Sequence, residues 1–156
     1  MSRWLCCLAI FGLCGGAWAV PPTLSERLMR EEGLRLLIYR DGNHNWLIGH
    51  GRNLTAIGIS PSEAAILLAN DIEGAGKRLD ERAPWWRRLD LCRREAMIDL
   101  SFMLGYRLFE FRDMLGHLKG GRYEHAAEAL TRSRLPRQIG GRAKILARQL
   151  GKAEGC

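Results

Sequence analysis

The sequence contains no internal repeat, no low-complexity linker and no CxxC pair. Five cysteines, at 6, 7, 14, 92 and 156, are too few to build a disulfide miniprotein. Their spacing matches neither a zinc site nor a haem attachment motif. Acidic residues are also in deficit, with 17 Asp+Glu against 24 Lys+Arg, a net +7 and a pI near 9.6. That balance predicts attraction to a polyanion, which could be nucleic acid, anionic lipid or bacterial wall polymer. What is present is ordinary for a globular chain: 156 residues, 47% hydrophobic and 26% charged. Length and composition suit one domain and argue against coiled-coil, collagen-like or multidomain organisation.

The first twenty residues stand apart. Arg3 is followed by an apolar run from Trp4 to Leu13, then Gly15, Gly16 and the small-residue triplet Ala17-Trp18-Ala19. This order predicts a secretory signal over 1–19, cleaved after Ala19, and hence an exported protein in the periplasm or beyond. The alternative is a signal-anchor, because Trp4 to Val20 is 17 residues, the short end of what spans a bilayer. Membrane contact is expected only through this segment. Cleavage would leave 20–156 with Cys92 and Cys156, which could pair in an oxidising compartment.

In the remaining chain, Thr23-Leu-Ser-Glu26 resembles a capping box, and Gly33 suits the position just past a helix end, so a short helix should stop at Glu32. Leu34 to Tyr39 and Trp46 to Gly49 read as strands around the turn Asp41-Gly-Asn-His-Asn45, giving a small β-hairpin. Ser60-Pro-Ser-Glu63 is a second capping box. Beyond it the apolar spacing is helical, with Ala96, Met97, Leu100, Met103 and Leu104 on the helix expected to form the core. Trp85-Trp86-Arg87-Arg88 lacks any surrounding nucleic-acid motif and predicts a loop of partly buried tryptophans instead. From Gly120 to Cys156, eight Lys+Arg face three acids, which suits a wall bearing free carboxylates or a solvated basic surface.

Glu32 and Asp41 carry the chemical interest. Glu32 is expected at the negative end of a helix beside Glu31, where ionisation is opposed, whereas Asp41 faces solvent at the mouth of a turn. An acid and a base in different environments are the parts of a glycoside hydrolase, although one Glu and one Asp near a turn are common.

The run from Glu32 to Asp41, followed by Leu47-Ile-Gly-His-Gly-Arg-Asn-Leu54, resembles the catalytic region of the phage T4-type lysozymes, endolysins of glycoside hydrolase family 24. The likeness continues through Gly58 to Ser60, Ala64 to Asp71, Arg94 to Gly105, Ala126 to Leu130, and Ser133, Arg134, Gln138 and Gly141 to Ala143. It implies an α+β, mainly helical, two-lobed fold, with a small β-hairpin lobe and a helical lobe flanking a cleft. It also implies a monomer that hydrolyses the β-1,4 bond between N-acetylmuramic acid and N-acetylglucosamine in peptidoglycan, without cofactor or metal. Nucleic acid would not be its partner.

In that scheme Glu32 protonates the leaving oxygen. Asp41 activates water on the opposite face, with inversion and carboxylates about 6.5–9.5 Å apart. Arg142 corresponds to an arginine that orients the acid, and Gln138 to a substrate-cleft position. Two positions depart from the pattern: Leu47 replaces a threonine that holds the water, and Met103 replaces a polar residue facing substrate. Water placement would then fall to Asp41 with His44, His50 or Asn45. His44, His117 and His125 otherwise read as turn and surface residues. The competing reading is a cationic peptidoglycan-binding protein of the same fold that cuts weakly or not at all.

Overall fold

The computed structural model describes residues 22–156, so the expected leader over 1–19 lies outside the described residues. The chain divides into two compact units at Ile59/Ser60.

The first unit begins with α1 (Pro22–Glu32). Pro22 opens this helix, because a proline at the first position sacrifices an N–H that has no intrahelical partner anyway. Thr23 to Glu26 therefore lies inside the first turn rather than ahead of it. Gly33 ends the helix as expected: its φ is +69° and its N–H reaches the Met29 carbonyl at 3.2 Å. Then come β1 (Arg35–Arg40) and β2 (Trp46–Gly49), antiparallel, with Tyr39 opposite Leu47 and Arg40 opposite Trp46. The Arg40 guanidinium lies 4.5 Å from the Trp46 ring centre, a cross-strand cation–π pair. A third strand, β3 (Arg52–Asn53), pairs with β2 and turns the expected hairpin into a three-stranded sheet. Its two residues, both polar, are too short a run for alternation to reveal.

The second unit is helical. Its entry is the expected capping box: Ser60 accepts from the Glu63 N–H at 3.2 Å, and the Glu63 carboxylate accepts from the Ser60 N–H at 2.7 Å. The helices are α2 (Pro61–Arg82), α3 (Leu91–Leu104), α4 (Arg112–Lys119), α5 (Tyr123–Arg132), α6 (Leu135–Ile139) and α7 (Gly141–Lys152). A 3₁₀ turn, Pro84–Arg88, stands where a loop is expected, and a second, Gly105–Glu110, follows α3. Ala96, Met97 and Leu100 of α3 are fully buried among Leu79, Leu108, Leu118, Leu130 and Leu146, so α3 is the core helix. Within the 3₁₀ turn after α2, Trp86 is buried and its indole N–H donates to Asp80 at 2.8 Å, while Arg87 forks onto both oxygens of the same carboxylate. The Trp-Trp-Arg-Arg run thus wires a helix end internally.

Two ties fasten the end of α7 to the start of α3. Arg93, its side chain 11% exposed, donates to the carbonyls of Leu150 and Gly151, both at 2.7 Å, and lies 3.7 Å from the Tyr123 ring centre. These carbonyls have no intrahelical partner, so a cation there satisfies both hydrogen bonding and the helix dipole. Cys92 and Cys156 form a disulfide with Cα atoms 5.5 Å apart and a sequence separation of 64. Closing so long a loop restricts the unfolded chain, an effect typically worth about 2–4 kcal/mol. Accordingly, Cys156→Ser should lower unfolding free energy by about that amount in urea titrations under non-reducing conditions. Added dithiothreitol should bring the parent down to the variant and leave the variant unmoved.

Candidate active site

Both carboxylates of interest lie in the first unit. Glu32 is the last residue of α1 and is exposed. Its side chain reaches the connection between β2 and β3. There a Cβ built on Gly51 would sit 3.4 Å from the Glu32 Oε2. Gly51 also has φ +82°, a left-handed conformation that side chains strain. Glycine at 51 thus serves the backbone turn and leaves room for the carboxyl.

Asp41 organises the turn between β1 and β2. Its Oδ1 accepts from the backbone N–H groups of Asn43 at 2.8 Å and Asn45 at 2.9 Å, and its Oδ2 accepts from the Asn45 side-chain amide at 3.1 Å. Two backbone bonds close the loop around it: Asp41 N–H to the Asn45 carbonyl and His44 N–H to the Asp41 carbonyl, each 3.1 Å. His44 takes φ +64° to allow this, so its role in the turn is conformational. The Asn45 side-chain bond, then the Asn45 and Asn43 N–H groups and the charge of nearby His44, hold the Asp41 carboxyl below its usual range against a smaller opposing effect of partial desolvation. Asp41 is thereby fixed as an ionised acceptor, suited to a base.

Leu47 is partly buried on β2 opposite Tyr39 and brings no polar atom to the site. His50 is exposed between Gly49 and Gly51. The other expected residues belong to the second unit. Arg142, near the start of α7, forks onto the Asp99 carboxylate of α3. Asp99 was not singled out from sequence, since 43 residues separate the pair and no local signal joins them. Met103 is partly buried and packs on the helical core. Gln138 lines a groove of about 860 Å³ bordered by Arg107, Arg112, Arg132 and Arg134 with His117 and His125. Glu110, Asp113 and Glu128 line the same groove, and Arg132 pairs with Glu128, so of the basic residues after Gly120 only Arg132 and Arg134 reach it, beside His125.

Two measurements address this geometry. In a ¹³C titration the Asp41 carboxyl should ionise below the ordinary aspartate value, and the Asn43 and Asn45 amide resonances should move with it. Because folding lowers this pKa, the stabilisation is present above the unfolded value and is lost as pH falls through the folded one. Gly51→Leu and Gly49→Leu impose similar backbone strain, since Gly49 has φ +66°, but the space beside Gly49 is empty. Their melting temperatures should fall together, while any turnover that depends on Glu32 should drop on the order of 10²-fold further in Gly51→Leu.

No curated protein matches the sequence. A sequence model described as phage lysozyme matches residues 29–148, a span that takes in Glu32, the Asp41 turn, the whole sheet and every helix from α2 to α6. With a mainly helical chain carrying a small antiparallel sheet, this protein belongs to the phage lysozyme family.

Proposed function

We propose that the protein is a muramidase, cleaving the β-1,4 bond between N-acetylmuramic acid and N-acetylglucosamine with inversion. Family membership supports a peptidoglycan hydrolase in the coarser sense. The observation that carries the finer reading is the contrast within one small unit. Glu32 projects from a helix end beside glycine, and Asp41 is locked in a turn whose N–H groups keep it ionised.

In this reading Glu32 gives its proton to the glycosidic oxygen as the C–O bond breaks. Asp41 takes a proton from the water that attacks the anomeric carbon from the other side. The sugar product keeps the second hydrogen of that water as its new hydroxyl. Gln138 acts in substrate engagement, and the cationic surface attracts the carboxylates of the wall. No metal or organic cofactor enters this chemistry. The substrate lies outside the inner membrane, so the protein is exported, with 1–19 as signal or anchor.

One observation favours the competing reading of a wall-binding protein that does not cut: Leu47 supplies no hydrogen bond and Met103 turns to the core. Reducing-end release from purified sacculi separates the two. The parent should release ends continuously, and Glu32→Gln should lose about 10²–10⁴-fold in rate while still sedimenting with sacculi. Sedimentation without release by the parent would establish the binding protein instead.

A further inference from the structure

The muramidase reading leaves one task without a residue. An attacking water needs a base for its proton and a second polar group to aim it, and the Leu47 side chain can neither donate nor accept. Of the three candidate side chains, those of His44 and Asn45 belong to the turn, and that of His50 follows the other end of β2, where Gly49 pairs with Arg35. Those of His44 and His50 are exposed and make no hydrogen bond to the Asp41 carboxylate among the described contacts.

Asn45 differs. It is partly buried, and its amide donates to Asp41 Oδ2 at 3.1 Å. It also closes the turn immediately before β2, its carbonyl accepting from the Asp41 N–H at 3.1 Å. The carboxamide of Asn45 is therefore the polar side-chain group already held against the base, two residues ahead of Leu47. Its Oδ1 accepts from no described residue.

We propose that Asn45 is the positioning residue that replaces the missing hydroxyl, its Nδ2 holding Asp41 Oδ2 and its Oδ1 accepting one hydrogen of the water whose other hydrogen points to Asp41. This inference rests on the muramidase reading. One O–H bond of the water breaks toward Asp41 while its oxygen bonds to the anomeric carbon. The hydrogen held by Asn45 stays on the product hydroxyl, and the leaving oxygen takes the Glu32 proton. The same amide contact is the largest of those lowering the Asp41 pKa, so its loss also moves an observable other than rate. His44 is the titratable group adding to that effect.

The test is a cycle of Asn45→Ala, Leu47→Thr and the double variant, read as reducing-end release from sacculi across pH. Asn45→Leu, which keeps volume without polar atoms, is a second probe should alanine loosen the turn. Expected for both Asn45 variants is a fall in kcat on the order of 10²-fold with KM little changed, and an acid limb displaced upward. Leu47→Thr should recover most of that loss in the Asn45→Ala background and do little in the parent. An active parent with Asn45 variants matching its kcat and acid limb overturns the role of Asn45 alone, as does a Leu47→Thr gain equal in both backgrounds. A folded parent that releases no ends overturns the muramidase reading and this inference with it.

Discussion

Three N–H groups converge on the Asp41 carboxylate, and most of what the first unit can do follows from that convergence. Among the described residues of the unit none is buried, and its strands are six, four and two residues long. Short hairpins without a core are marginal in water, so local bonding has to hold the register. Asp41 does this with Asn43 and Asn45, and the same bonds keep it charged. Shape and reactivity in this turn are one arrangement of hydrogen bonds.

The helical unit is organised on the opposite principle. Its stability comes from a continuous apolar cluster around α3, and its polar groups serve the ends of helices. Asp80 gathers Trp86 and Arg87 at the close of α2, and Arg93 takes up the final carbonyls of α7. At Gly151 an added Cβ would lie 3.1 Å from the Ala127 Cβ, so α5 and α7 approach closely because both are small there. The groove beside Gln138 mixes charges, with Arg132 paired to Glu128 on its border.

Where a residue's role is decided by its near neighbours, the sequence discloses it. Glu32 before Gly33, the Asp41 to Asn45 turn and the Ser60 box all follow from caps and turn chemistry within a few residues. Roles decided across the chain do not show. Arg52–Asn53 becomes a strand only because β2 lies beside it, Gly51 matters because Glu32 reaches it, and Arg142 meets Asp99 through helix packing. The family resemblance supplied Arg142, Met103 and Gln138 as candidates. The neighbours of each had to come from the fold. Asn45 was visible as one of three polar candidates, and only the bond to Oδ2 separates it from the two histidines.

The Cys92–Cys156 bridge has a topological consequence. It spans the chain from the beginning of α3 past the end of α7, so every helix from α4 to α7 lies inside one covalent ring. A protease that cuts any single peptide bond within that ring produces two chain ends but not two molecules. The ends stay tethered at high effective concentration, and the packed helices can re-form around the break. The bridge thereby converts a nick from a route to dispersal into a tolerated injury.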